Sequence, residues 1–449
     1  MTTSQLTHDR DGSRLDLATG PAMTPQGLVP ALEPGVTFFS GFVTRPDVLA
    51  AGLLAVADIA GSRYADLGVA ARIKAADPVV TASGDRLRFE SLSLCNGVHA
   101  RLDVLPDGFG SSEVGFGTTN VDVNQPLRTA LARVDRNEPL HLVVGPDELR
   151  ASSVAASYVE PKVALPDRWV RGLAETATLL HEMSPAATST GVEARRFFAG
   201  LSRVAAPGPE LHVVPLRGGW RTTTSATTAS IPVFGATRLR GTDRVLRHAT
   251  RLSVHRHRHG STAWVLDLPG ARFTIAFSPG LYRGFSGEGT LLALLSHPDA
   301  ETTGRQLLDH LGWSATIDPD DLARTSGLAT PAVRAGLGWL AASGRVGFDL
   351  DEAAWFHREL PIDSEAVIRR NPRLTSAQRL ADTGGVRTAT ASSWQVDGSR
   401  GATYDVTPAA DAPSGLRCTC RWELDHQGTR GPCKHLLAVM LHLRSKPTA

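Results

Sequence analysis

From about residue 36 to residue 290 the chain repeats one pattern. Apolar positions at helical spacing give way to short runs that alternate apolar and polar residues across tight turns. "PDVLAAGLLAVADIAGSRY" reads as a helix with Pro46 in its first turn, where a missing N–H costs nothing. "DRLRFESLSLCNGVHARLDVLPDG" follows and alternates like two half-buried strands. A second unit is "VNQPLRTALARV" then "LHLVVGPDELRASSVAAS", with Pro-Asp in the turn. A third is "VEARRFFAGLSRV" then "ELHVVPLRGGWRTTTSATT", and "DRVLRHATRL" then "SVHRHRHGSTAWVLDLPGARFTIAFSP" reads as a fourth. Repetition of this kind predicts a duplicated α+β unit, divided here into domains at 36–165 and 166–295. Residues 1–35 are polar, punctuated by Pro and Gly and without period, and are expected to be disordered.

The pattern changes after residue 300. "ETTGRQLLDHLGW", "DPDDLARTSGLA" and "TPAVRAGLGWLAASG" predict three helices, the last capped by Thr330 with Pro331 at its first position. "RVGFDLDEAAWFHREL" predicts a hairpin. That order over 301–360 is the order of a winged-helix domain. Its third helix carries Arg334 among Ala and Gly, whereas a DNA-reading helix presents several Arg, Lys, Asn or Gln side chains. A protein-binding winged helix is the expectation. A last domain spans 374–449.

That last domain holds the candidate chemistry. Cys418, Cys420, Cys433 and His435 follow C-x-C-x12-C-x-H. Three thiolates and an imidazole make the closed donor set of a structural Zn2+ with no position left for water. "SSWQVDGSRGATYDVTP" predicts a hairpin just before the first pair, and in extended chain residues i and i+2 share a face, so Cys418 and Cys420 bite one ion. Within a helix the same spacing points ligands roughly 200° apart. Cys433 is therefore placed in an entry loop and His435 on the first turn of "KHLLAVMLHLR". His426 and His442 are spare.

Composition narrows the classes. The 449 residues are 42% hydrophobic and 20% charged, with net charge +2 and four cysteines. Four cysteines, three of them bunched, make no disulfide framework, and neither a membrane-spanning run nor a leader is present, so a cytoplasmic protein is expected. Arginine supplies nearly all the positive charge and alanine is abundant, as in proteins of G+C-rich bacteria. From Arg238 to Gly260 seven arginines face one acid, a local +6 that leaves the rest of the chain at −4. This makes Arg251, His255, Arg256, His257 and Arg258 candidate anion contacts. His255, His257 and His259 alternate. On one strand face they suit a metal, a phosphate track or a charged, solvated edge. Arg421, Trp422, Arg430 and Lys434 beside the ligands are further candidates for nucleic acid, although Trp422 also suits the core of so small a module. "GFGSSEVGFGTTN" lacks the Gly-Lys-Ser/Thr end of a phosphate loop, and no hydrolase elbow, H-E-x-x-H or paired carboxylates appear. Cys95 reads as a buried small hydrophobe. No enzymatic activity is expected.

Two resemblances follow. The ligand set with "TYDVTP", "CTCRW" and "GPCKHLLAV" resembles the SWIM zinc-finger family, which implies a ββα module around one structural zinc. "VGFGTTNVDVN", "LPDRWVRGLAE" and "FSPGLYRGFSGEG" are similar to longer bacterial SWIM proteins, which implies an adaptor for protein or nucleic acid working with a MoxR-type AAA+ ATPase and a von Willebrand factor A protein. The helix-then-strands order from Leu87 to Val163 resembles one arm of the DNA sliding clamp; a plain antiparallel α+β domain without clamp function meets the same pattern and is preferred. The expected fold is thus α+β and multi-domain, ending in the finger. Direct binding of DNA or RNA by the basic segment, the winged helix and the finger together is the alternative function.

Overall fold

The computed structural model describes residues 5–9, 12–16, 37–64, 78–201, 211–280, 283–285, 288–295, 297, 299–360, 371–412 and 414–445. Strands β1 (Gln5–Asp9) and β2 (Gly12–Asp16) pair Leu6 with Leu15 in a hairpin, where no regular structure is expected from the sequence. The rest of the 1–35 lead-in lies outside the described residues.

The body begins with β3 (Phe39–Val43) and α1 (Pro46–Gly61), with Pro46 in the first turn as expected. There follow β4 (Val79–Ser83), β5 (Leu87–Leu92), β6 (Val98–Val104), β7 (Phe109–Val114), β8 (Phe116–Asn120), α2 (Gln125–Leu131), β9 (His141–Val144), β10 (Glu148–Ser152) and β11 (Ser157–Pro161). The second stretch adds α3 (Asp167–His181), β12 (Ser184–Thr190), α4 (Gly191–Ala199), β13 (Leu211–Leu216), β14 (Gly219–Thr223), β15 (Ile231–Val233), β16 (Arg251–Arg256), β17 (Thr262–Leu268) and β18 (Ala271–Phe277). The fourth predicted helix is replaced by 3-10 turns at Ala236–Thr242 and Leu246–His248. There the Arg238 side chain turns inward, its guanidinium donating to the carbonyls of Ser278 and Gly280, and Gly241 packs against Ile59 and Ile275.

The two α+β stretches meet in one sheet. Its strand order is β12-β16-β17-β18-β6-β5-β4-β8, joined by antiparallel pairing of β18 with β6. A five-stranded sheet (β11-β10-β9-β3-β7) and a three-stranded one (β14-β13-β15) flank it. One face of the large sheet packs on α1 and shares a core with Leu102, Phe273 and Ile275.

The opposite face is charged. Register places Arg251, Asp267, Arg272, Asp103 and Arg88 in one row across β16, β17, β18, β6 and β5. Glu90 faces Arg101 in the next row. β5 and β6 are buried on both faces, where alternation predicts half-burial. The reason lies beyond residue 290, where a charged hairpin covers this face.

That stretch contains α5 (Thr290–Leu295), α6 (Ala300–Leu311), α7 (Pro319–Ser326), α8 (Thr330–Ala342), β19 (Val346–Asp349) and β20 (Ala354–His357). Helices and hairpin follow the order read from the sequence. α8 begins at Thr330 itself, so Ala329 holds the capping position and no side chain caps it. Asp349 lies within 3.3 Å of Arg88 and 3.1 Å of Arg101, Asp351 within 2.6 Å of Arg272, and Arg358 within 2.5 Å of Glu90. The Arg88 guanidinium also stacks on the Phe356 ring at 4.0 Å.

The chain ends in α9 (Pro372–Asp382), β21 (Val386–Thr390), β22 (Ser393–Asp397), β23 (Thr403–Pro408), β24 (Leu416–Cys418), α10 (Arg421–His426) and α11 (Lys434–Ser445). The four strands form one antiparallel sheet, and α11 packs across it with Leu436, Leu437 and Val439 inward. No helix among the described residues is long and apolar enough to cross a membrane.

Candidate metal centre

Cys418 ends β24 and Cys420 follows two residues on in extended backbone, as the first pair requires. Gly431 and Pro432 lead Cys433 in on a loop, and His435 sits on the first turn of α11. The four ligand atoms lie within 4.8 Å of one another and all four residues are buried. His435 Nδ1 is 3.7 Å from the Cys418 sulfur and 3.9 Å from that of Cys433. Zinc bonds of about 2.0–2.3 Å at tetrahedral angles put donor atoms about 3.6 Å apart, so the cluster fits the ion. Soft sulfur and imidazole donors with no carboxylate favour zinc over calcium or magnesium. The Tyr404 ring lies 4.6 Å from that of His435 and seals the site.

Thiols this close compete for charge. Hydrogen bonds from Cys418 and Cys433 hold Cys420 well below the usual thiol range, while the contact with Cys420 pushes Cys418 up to about 12 and contacts with Cys418 and Cys420 raise Cys433 as well. A divalent cation removes that conflict by taking all three as thiolates. The backbone N–H groups of Cys420 and Leu436 point at the sulfurs of Cys418 and Cys433, each at 3.4 Å, and favour the charged form.

The neighbouring candidates divide. Arg421 is 93% exposed and pairs with Asp425 one helical turn on. Lys434 Nζ donates to Ser399 at 3.0 Å. Trp422 is half-buried, with the guanidiniums of Arg373 and Arg430 over its ring at 4.3 and 5.0 Å and its Nε1 donating to Gly431 O at 3.4 Å. Arg430 faces Glu288 of the body at 3.7 Å. Arg373 carries no motif, and Glu288 lies in "FSPGLYRGFSGEG" with no spacing that ties it to the ligands; sequence reasoning assigned neither to the site.

The residues of the basic segment are placed differently, with Arg256, His257 and Arg258 lining one cavity beside Glu182. Arg251 pairs with Asp267 and Asp351, and Arg256 donates to the carbonyls of Thr228 and Ser230. β16 ends at Arg256, so the histidines do not continue along one strand face. His255 is half-buried, which lowers its pKa. His257 is buried against Glu182 at 3.0 Å, its N–H bonded to Ser261 O in a turn, and Arg258 approaches the same Glu182 at 3.6 Å. Among the described residues, the four zinc ligands are the cluster of three or more such groups close enough to share an ion; the histidines form none.

Proliferating Cellular Nuclear Antigen from Entamoeba histolytica is similar over 54% of this chain and 99% of its own, at 9% identity and a TM-score of 0.38. The PCNA2-PCNA3 complex from Sulfolobus tokodaii is similar over 54% of this chain and 99% of that one, at 11% identity and a TM-score of 0.40. Comparison with curated proteins finds no match. Residues 404–444 match the family model of the SWIM zinc finger. Ligand spacing, buried donor cluster and family match coincide on these residues, and the C-terminal module of the chain is a SWIM zinc finger built around one structural zinc ion.

Proposed function

We propose that the chain is a non-enzymatic cytoplasmic adaptor that uses its zinc-folded finger to dock another protein. The observation that carries this reading is the outer surface of α10. Arg421 is exposed there and Leu424, three residues on and on the same helical face, is 65% exposed, while Glu423 turns inward and Trp422 is half-buried. An exposed leucine beside an arginine suits a protein partner better than a phosphate backbone. Burial of α8 supports the same choice, since nine residues of this helix pack inside against α3, α5, α6 and α7 and leave Arg334 as its outward cation. The four cysteines form no disulfide, three of them being the zinc ligands, which suits a reducing compartment. The family resemblance of the longer chain extends the reading to an assembly with a MoxR-type AAA+ ATPase and a von Willebrand factor A protein.

The second reading, direct binding of DNA or RNA by the 238–260 segment and the finger, draws on the local arginine density. Self-pairing weakens it: Arg240 with Asp243, Arg244 with Asp58 and Arg251 with Asp267 leave little net charge to release counterions. Binding to duplex and single-stranded DNA and to RNA across a salt series separates the two. The adaptor reading expects no steeply salt-dependent affinity. It also expects a protein captured from the native host by the wild type and lost on Leu424→Asp. Tight, salt-sensitive nucleic-acid binding with capture unaffected by Leu424→Asp reverses the order of the two readings.

A further inference from the structure

Three consecutive carbonyl groups lead into the ligand Cys433, and each is held by a side chain. Arg373 Nη1, from the first turn of α9, donates to Arg430 O at 2.8 Å and to Pro432 O at 3.3 Å. Trp422 Nε1 takes Gly431 O between them. The same Arg373 and the side chain of Arg430 lie over the Trp422 ring. Arg430 then reaches the buried carboxylate of Glu288, which Arg283 also holds at 2.9 and 2.5 Å.

Backbone meets backbone at the same place. Gly431 has φ +69°, and a Cβ on it would sit 1.9 Å from Gly289 O. Only glycine lets the two chains approach so closely. On the body side, Thr290 N and Leu291 N donate to the buried carboxyl of Glu175 at 2.7 and 3.3 Å, which fixes the start of α5. The loop that delivers the third zinc ligand is thus fastened to the segment around Glu288–Leu291.

We infer that Arg373, Trp422 and Glu288 are positioning residues of the zinc site, a latch that holds the Cys433 loop against the α+β body and couples zinc retention to the packing of residues 288–292. The inference rests on the zinc-finger assignment and adds to it a regulation the four ligands alone do not imply. A ligand on a loop already ordered by other contacts stays near the ion when one bond breaks, so release slows. Coupling is reciprocal: whatever steadies the loop for zinc, zinc steadies for the body. The arginine is specific to the task, because one guanidinium spans two carbonyls and stacks on an indole, which an ammonium does not.

Zinc transfer from the full-length protein to the chromogenic chelator 4-(2-pyridylazo)resorcinol reads the latch. Arg373→Ala is expected to release zinc about tenfold faster or more, the scale of lost outer contacts at metal sites, while still binding one ion. Arg373→Lys, the milder change, is expected in between. In the wild type, hydrogen exchange of amides 288–292 is expected to rise when zinc is stripped. Release within about twofold of wild type for both variants, with exchange at 288–292 indifferent to zinc, overturns the latch and leaves the finger standing. A wild type that holds no zinc overturns both.

Discussion

Asp349, at the end of β19, lies 3.1 Å from Arg101 on β6, and neither side chain is more than 1% exposed. The same carboxylate also faces Arg88 at 3.3 Å and Arg272 at 3.8 Å, and Arg101 donates to Phe348 O at 2.6 Å. The hairpin therefore docks on the sheet through charge, where an apolar face would be the ordinary solution. Burial makes each ion costly, and the contact holds because every arginine meets an acid. Such a joint specifies one seating of the hairpin, since any shift leaves a buried charge alone.

Asp349→Asn removes the central acid while four arginines, Arg86, Arg88, Arg101 and Arg272, stay beneath the hairpin. Loss of one partner of a buried pair costs about 3–5 kcal/mol, and urea unfolding of the full chain is expected to show a loss of that order. Arg421→Ala, on an exposed pair, is the comparison and should shift stability by no more than about 0.5 kcal/mol. Equal midpoints for the two variants would refute the charged joint.

Acid should loosen the same joint. Burial alone would raise Asp349 and Glu90, but attraction from Arg101 and Arg88 on the first and from Arg358 and His99 on the second holds both well below the usual carboxylate range. Folded pKa values below the unfolded ones mean that their stabilisation is complete above roughly pH 4–5 and drains away as pH falls further. Urea midpoints measured from pH 7 down to pH 3 are expected to fall at the acid end, with a shallower fall in Glu90→Gln. A flat wild-type profile contradicts this.

The sequence made some of this legible and hid the rest for a physical reason. Alternation over 87–92 and 98–104 places Arg88 and Glu90 on one strand face and Arg101 and Asp103 on its partner, which is the observed register. Period two says which residues share a face and is silent on whether that face meets water. The answer lay in Asp349 and Asp351, far along the chain in a hairpin whose acids look like an ordinary solvated turn. The zinc ligands were legible because eighteen positions hold all four and i, i+2 spacing restricts their backbone. Arg373 was not, being one arginine among many, and Glu288, though it lies in "FSPGLYRGFSGEG", has no spacing that ties it to the ligands. The 236–248 stretch shows the remaining failure: "DRVLRHATRL" reads as a helix, while the chain forms 3-10 turns there and Arg238, just before it, folds inward to satisfy carbonyls.

Zinc should be part of the fold of the module. Metal analysis of the purified full chain is expected to give one zinc per chain, and Cys433→Ser to abolish it. Because the four ligands lie at the centre of the packing between α11 and the sheet, loss of the ion should open residues 386–445 to proteolysis while the body away from residues 288–292 stays protected. A Cys433→Ser protein that resists protease like the wild type would exclude a structural role for the metal.

Glu175 should give the opposite pH behaviour to Glu90. Burial, reinforced by the nearby charge of Glu288, pushes its carboxyl up to about 8, against the pull of the Thr290 and Leu291 N–H groups. At neutral pH the folded protein keeps this proton while the unfolded chain, with a pKa of about 4.3, gives it up. Stability contributed by the group therefore declines as pH rises from about 4 towards 8 and levels off once the folded carboxyl also ionises. Glu175→Gln keeps the shape and removes the titration. The variant should be less stable than or level with wild type at pH 5, where the protonated acid is the better neutral group for its site, and should gain on it steadily up to pH 8. Parallel urea profiles across that range for the two proteins would mean that Glu175 is ionised in the folded state and that the neighbouring arginines, Arg373 foremost, hold its charge.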